Sequence, residues 1–257
     1  MLDAIAAHDQ QINQQYRMFS GPSPYVPVTN WGPLAAFGAT VVLLVGSLLP
    51  VLLAVVAAKL MGTSLSTLWL SMLATPVQQI LLVGVTWSAA MWFGDVPGKV
   101  LALRAPPQGW RAYAISFAVF IAGVVLMNFV ISVIDPGSNK DDLKTFEEMF
   151  KSSGWWLALL MVGVGAPLSE EFLFRGFLFP AIAKTRAGII GATLITSGVW
   201  ASIHFYSVLG MVQVFVLGLL LSWILVRTGS LRVTMVCHGL YNTALALAMM
   251  AGLSGWL

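Results

Sequence analysis

Seven apolar stretches, most of them long enough to cross the ~30 Å hydrocarbon core of a bilayer, follow one another along the chain. They run approximately Leu34 to Lys59, Leu68 to Phe93, Ala112 to Ile134, Trp155 to Phe177, Ala187 to Phe205, Val208 to Val226 and Val233 to Leu253. No other feature constrains the fold so tightly, because backbone in lipid has no water to bond and must satisfy its own N–H and C=O groups. The runs are continuous rather than alternating, which disfavours a β-barrel. The expected fold class is therefore all-α, a polytopic membrane helical bundle with about seven transmembrane helices. Composition agrees: 58% of residues are hydrophobic and 9% charged, against about 25% charged in a soluble domain. No internal repeat suggests a transporter built from two halves.

The first 30 residues are polar, rich in Gln and Asn, and end in Pro22, Pro24 and Pro27. They lack the apolar core of a signal peptide and read as an extramembrane tail, with a short amphipathic helix before the prolines, ahead of one transmembrane domain at 31–257. The 13 Lys and Arg against 10 Asp and Glu are too few to build a phosphate-binding surface, so nucleic acid is not an expected partner. The lipid bilayer is. Orientation follows from the basic residues in the connections. Arg17, Lys99, Arg104, Arg111, Lys184, Arg186, Arg227 and Arg232 fall on one side, and Lys59, Lys140, Lys144 and Lys151 on the other, eight against four. This bias predicts a cytoplasmic N-terminus, in a bacterial-type inner membrane. The charged connection after the third span predicts a short surface helix from Asp141 to Lys151, with its charges solvated.

The ionisable residues inside spans are the informative ones. Glu170, Glu171 and Arg175 lie in the fourth, His204 at the end of the fifth and His238 in the seventh. One charge at the bilayer centre costs about 2.5–3.5 kcal/mol even on lenient scales, so these residues need partners or a polar cavity. Glu171 and Arg175 stand i, i+4, the spacing and order of an ion pair. Glu170 sits about 100° further round the helix and faces elsewhere. His238 and Asn242 also share a face.

Glu170-Glu171-Phe172-Leu173-Phe174-Arg175 reads E-E-x-x-x-R, Trp200 to His204 reads aromatic-x-x-x-H, and His238 to Asn242 reads H-x-x-x-N. Three such motifs, in this order inside successive spans, resemble the CAAX protease and bacteriocin-processing family, which includes the type II CAAX prenyl endopeptidase. The resemblance covers Trp155 to Asn242 and implies a catalytic half at about 154–245. Trp200 stands where the family commonly has phenylalanine. The resemblance implies an intramembrane endopeptidase acting on a peptide or protein, with lipidated C-terminal CAAX-type or peptide-maturation substrates as the candidate classes. It gives Glu170 the role of activating water, with His204 helping to hold that water.

The residues themselves support this chemistry. A carboxylate partly withdrawn from water serves as a general base, and His238 and Asn242 are placed as donors to a developing oxyanion. Glu171 and Arg175 would orient them. No H-E-x-x-H occurs, and no Asp lies inside a span. Ser197-Gly198 lacks the preceding glycine of a serine-protease motif. Cys237 points about 100° away from its neighbour His238 and reads as a packing thiol. Trp92, Trp110, Trp155 and Trp156 read as interfacial anchors, Pro50 and Pro76 as kinks, and Gln78 and Gln79 as bonds between helices or cavity lining. Zinc is the open question: Glu170, His204 and His238 could ligate it, although a metal-independent, glutamate-activated water is favoured and no cofactor is otherwise expected. Two other functions stay open, a catalytically idle immunity or scaffold protein of the same fold, and a proton-coupled transporter.

Depth poses a difficulty. From the turn near Lys184 to Gly188, Glu170 and His204 both lie ~21–24 Å into the membrane, whereas His238 lies only ~9 Å from Arg232. The three meet only if a turn dips inward, if Pro180 breaks the fourth helix or if the Lys184 turn is itself buried. Counting from that turn also implies a site that opens to the cytoplasm.

Overall fold

The structure, a computed structural model, describes residues 18–19, 21–63, 66–93, 96–135 and 140–252. Any helix in residues 1–17 lies outside the described residues. Among those described, all regular structure is helical. The first span, Pro33–Leu60, is broken into α1 (Pro33–Gly46) and α2 (Leu49–Leu60). Pro50 lies in the first turn of α2, where its missing N–H costs no bond. Then come α3 (Thr67–Trp92), the one-turn α4 (Pro97–Val100), α5 (Trp110–Ile134) and α6 (Lys140–Lys151). The long helix α7 (Trp155–Ala183) is followed by α8 (Gly188–Ser202), α9 (Val208–Thr228) and α10 (Leu231–Met250). Six spans are long and apolar enough to cross a bilayer, while the fifth expected stretch is only the 15-residue α8. Its shortness brings the loop after it down beside the cavity described below. Pro76 is accommodated inside an uninterrupted α3.

Helix α7 is the axis of the bundle. Half of its apolar window is buried, against 11% for the first span, which therefore presents most of its surface to lipid. Two stretches of α7, Met161–Gly165 and Glu171–Leu178, widen into π-helix. The i→i+5 pattern shifts the backbone bonding and offers carbonyls to neighbours. Gln79 on α3 donates Nε2 to the Met161 carbonyl at 3.1 Å, and Asn242 on α10 donates Nδ2 to the Val162 carbonyl at 3.0 Å. Trp31, stacked on Phe177 at 4.8 Å, donates Nε1 to the Phe177 carbonyl at 3.1 Å. The helix runs through Gly176 and Pro180 without ending, which removes a break at Pro180 as the answer to the depth difficulty. Gly239 lets α10 approach closely: a Cβ there would stand 2.9 Å from the Gly163 carbonyl.

The end of the bundle nearest residues 18–31 is tied together by cations spent on backbone oxygens. Arg104 donates to the carbonyls of Gly229 and Pro24, Arg227 to those of Met18 and Gly21, and Lys184 to that of Thr29. Beneath them the α9–α10 turn is sunk into the fold. Thr228, Ser230 and Leu231 are fully buried, with the Leu231 N–H on the Ala102 carbonyl and the Ser230 hydroxyl on the Arg104 carbonyl. Lys184 itself is exposed. The inward dip is therefore at the α9–α10 turn, and it lowers His238 to the depth of Glu170.

At the opposite end lies α6, one residue longer than expected. Leu143, Phe146 and Phe150, spaced i, i+3, i+7, form its inward face. Phe150 packs with Met72, Leu157, Met161 and Met249. Glu147 and Lys151 pair on the outer surface, as solvated charges should. Asp142 does not: its two oxygens accept the Ser207 N–H at 2.8 Å and the Ser207 hydroxyl at 2.7 Å, clasping α6 to the α8–α9 loop.

Candidate active site

A cavity of about 400 Å³ lies between α3, α5, α7, the end of α8, α9 and α10 under the roof of α6. Glu170, Trp200, His204, His238 and Asn242 all line it, so one space gathers the members of three motifs separated by up to 72 positions. Glu171 and Arg175 stand behind this wall, both completely buried.

Trp200 is the hub. Its indole Nε1 donates to Glu170 Oε2 at 2.7 Å, its ring carries the Arg175 guanidinium at 4.4 Å, and the rings of His204 and His238 meet it edge to face at 5.1 and 5.5 Å. The aromatic of the second motif, expected from sequence as a supporting site residue, thus contacts four of the other six site residues. The expected ion pair forms, Arg175 Nη1 to Glu171 Oε1 at 3.1 Å, and Arg175 Nη2 donates to the Gly218 carbonyl of α9 at 3.3 Å. Glu171 Oε1 also lies 3.1 Å from His238 Nδ1. The pair thereby connects α7 to α9 and α10.

These bonds fix the imidazole tautomers. His204 Nδ1 lies 2.7 Å from the Trp200 carbonyl, which only accepts, so Nδ1 carries the hydrogen. In the neutral ring His204 Nε2 then carries the lone pair. His238 Nδ1 likewise donates to the Glu171 carboxylate, and His238 Nε2 bears a hydrogen only as imidazolium. Asn242 has one amide hydrogen engaged on Val162 and one left for the cavity.

Several lining residues had not been singled out from sequence. Asn128 on α5 and Gln213 on α9 pair at 2.5 Å within apolar stretches. Lone amides in otherwise apolar spans are a readable signal, missed when only ionisable residues are inspected. Gln79 both lines the cavity and bonds between helices, while Gln78 bonds to Ser47. Tyr206 lies in the loop beside His204, with ring centroids 5.3 Å apart. Burial, then the nearby carboxylates of Glu170 and Asp142, push its phenol well above the usual range. Cys237 is buried, as a packing thiol should be. Trp92, Trp110, Trp155 and Trp156 are exposed near helix ends, where interfacial anchors belong.

The donors Glu170, His204 and His238 are of types that suit zinc, and each histidine has its second nitrogen held as ligating histidines usually do. Their spacing does not fit. Among the described residues no three His, Cys, Asp or Glu side chains converge into a metal cage.

Most of the lining residues lie toward α6 and the α8–α9 loop, with Glu170 and His238 near the middle of their helices. The cavity thus extends from mid-bundle toward the end opposite residues 18–31 and Lys184.

Residues 152–244 match the family described as type II CAAX prenyl endopeptidase, Rce1-like, the stretch that holds all three motifs. A protein of Bacillus subtilis (strain 168) named YyaK, described as uncharacterized, is 23% identical over 171 residues, or 63% of this chain. The match spans 55% of that relative's length. No solved structure matches the chain.

Proposed function

We propose that this integral membrane protein, Rce1-like over residues 152–244, is an endopeptidase that hydrolyses a peptide bond inside its cavity with a water activated by Glu170. The observation that carries this reading is the environment of the Glu170 carboxylate. Oε2 is occupied by the Trp200 indole, while Oε1 has no such partner, and His204, whose neutral ring keeps a lone pair on Nε2, lines the same cavity. Two acceptors can then take the two hydrogens of one water, turning an oxygen lone pair toward a substrate carbonyl.

As the water oxygen bonds to the carbonyl carbon, Glu170 takes its proton and the carbonyl oxygen becomes an oxyanion. Collapse of that intermediate breaks the C–N bond, and the proton held on Glu170 passes to the departing nitrogen. Water is consumed, and a carboxylic acid and an amine are released. The spare hydrogen of Asn242 and, when protonated, His238 Nε2 are the donors proposed for the oxyanion, each worth about 2.7–4 kcal/mol when well aimed. Glu171 and Arg175 hold His238 and Trp200 in place. No step passes through a metal.

The substrate is a peptide or protein with an apolar segment. The cavity pairs a polar floor with an apolar wing of Leu143, Phe146, Met149, Leu245 and Met249, and a lipidated chain end would suit that wing. With the basic-residue bias read as a cytoplasmic N-terminus, the mouth under α6 faces the outer side of a bacterial-type inner membrane.

The test is hydrolysis of internally quenched apolar peptides by the protein in liposomes, with Glu170→Gln as its comparison. The amide is nearly isosteric but cannot accept the proton, so cleavage should drop to background. A correctly inserted Glu170→Gln protein with full activity would sink the mechanism. Peptide binding without cleavage by the parent would instead favour an idle immunity or scaffold protein. Purified protein should contain well under one zinc per chain and stay active after chelation; stoichiometric zinc that disappears in His204→Ala would reassign Glu170 from base to ligand.

A further inference from the structure

The α8–α9 loop is only five residues long, Ile203 to Ser207, yet it holds an unusual backbone. Phe205 has φ of +53°, a left-handed conformation that a phenylalanine keeps only where its surroundings impose it. The Phe205 ring does not provide that reason, since it is 89% exposed. The residues on either side of it do. His204 and Tyr206 both line the cavity, edge to face with one another, while the residue between them points out. The strained turn lets two side chains two positions apart in a short loop reach the same space.

The loop is also secured from outside. Asp142 accepts both the N–H and the hydroxyl of Ser207, and the Ser207 oxygen accepts the Gly210 N–H at 3.1 Å to begin α9. The result is a tyrosine held in the cavity wall, whose phenol has a hydroxyl hydrogen to give.

The proposed chemistry has a shortage of donors of that kind. Asn242, read from sequence as an oxyanion donor, has one of its two hydrogens on the Val162 carbonyl. His238 Nε2 donates only when the ring is protonated, because its Nδ1 hydrogen already bonds to Glu171. Tyr206 is a neutral donor whose hydrogen does not depend on that protonation.

We propose that Tyr206 is a catalytic residue of the hydrolysis, its phenol hydroxyl donating a hydrogen bond to the oxyanion that forms as water adds to the substrate carbonyl. Phe205 and the Asp142–Ser207 clasp are positioning elements that aim the phenol. No proton is transferred: Tyr206 keeps its hydrogen throughout, while the proton that moves travels from water to Glu170 to the leaving nitrogen. The inference rests on the hydrolytic reading above.

Parent, Glu170→Gln and Tyr206→Phe proteins, with Tyr241→Phe at the other tyrosine lining the cavity as control, are assayed with one internally quenched apolar peptide in liposomes, beside thermal unfolding of each. Tyr206→Phe keeps the ring contact with His204 and removes only the donor, so kcat should fall about 10²- to 10³-fold with KM and the unfolding midpoint unchanged. In a second arm, Asp142→Ala loosens the loop without touching the phenol. It should lower kcat in the parent and add little in the Tyr206→Phe background, since both changes act through one hydrogen bond.

An undiminished kcat in Tyr206→Phe overturns the assignment while leaving Glu170-dependent hydrolysis standing. So does a loss found in Tyr241→Phe instead, or a strictly additive Asp142→Ala effect. A parent whose cleavage is no faster than that of Glu170→Gln overturns the hydrolase reading and this proposal together.

Discussion

The indole nitrogen of Trp200 donates to Glu170 Oε2 at 2.7 Å across the gap between α8 and α7. The same ring supports the Arg175 guanidinium on its face. One side chain therefore spaces a free carboxylate and a buried ion pair that lie on adjacent positions of the same helix. It holds Glu170 at the cavity, while Arg175 and His238 hold Glu171 behind it.

Replacing Trp200 by phenylalanine separates these two tasks. The smaller ring still offers a face to Arg175, but the hydrogen bond to Glu170 is lost. A hydrogen bond to a charged group contributes about 1.5–3 kcal/mol, so peptide cleavage by Trp200→Phe should slow by about tenfold or more. The fold should persist, as judged by an unfolding midpoint near that of the parent. Unchanged cleavage would mean that the indole N–H has no part in orienting the base.

The Glu171–Arg175 pair makes a second prediction. Both side chains are fully buried, and removing one partner of such a pair costs about 3–5 kcal/mol because the other charge is left unpaired. Glu171→Gln or Arg175→Met alone should unfold well below the parent in detergent. The double variant should regain much of that loss, yet remain poorly active, because His238 has lost its carboxylate. Recovery of both stability and turnover would show that Glu171 does not hold His238 for the reaction.

Topology can be read by labelling. Ser153 beside α6 and Ala187 between α7 and α8 are exposed at opposite ends of the bundle, whereas Gln108 is buried, its amide on the Arg227 carbonyl. In a Cys237→Ala background, an impermeant thiol reagent applied to intact cells should modify Ser153→Cys and spare Ala187→Cys. The reverse pattern would place the N-terminus and residues 18–31 outside, and the cavity mouth in the cytoplasm.

Much of this architecture is legible in the sequence because hydropathy over twenty residues is a local quantity. So is the i, i+4 spacing that pairs Glu171 with Arg175, and so is the face of α6. The widening of α7 is not local: it depends on Gln79 and Asn242, distant in sequence, accepting the role of partners to Met161 and Val162. The burial of Thr228 to Leu231 is equally invisible to a window, since the residues that cover that turn come from 97–109 and from the N-terminal segment. Helix-rise arithmetic assumes that every turn sits at the membrane surface, and it misplaced His238 for that reason. Tyr206 escaped notice because it lies outside the apolar runs. Only the short α8 and the turn at Phe205 bring it to the cavity.

The cations at the far end of the bundle have a consequence for how this chain is inserted. Arg104, Lys184 and Arg227 belong to the set whose excess on one side predicts the orientation, and the same three side chains grip the backbone of residues 18–29. Address label and masonry are one material here. Neutralising them to make the protein insert upside down would also loosen the platform on which the buried α9–α10 turn rests, so a loss of function after such a change would not distinguish inverted protein from correctly oriented protein with a collapsed base.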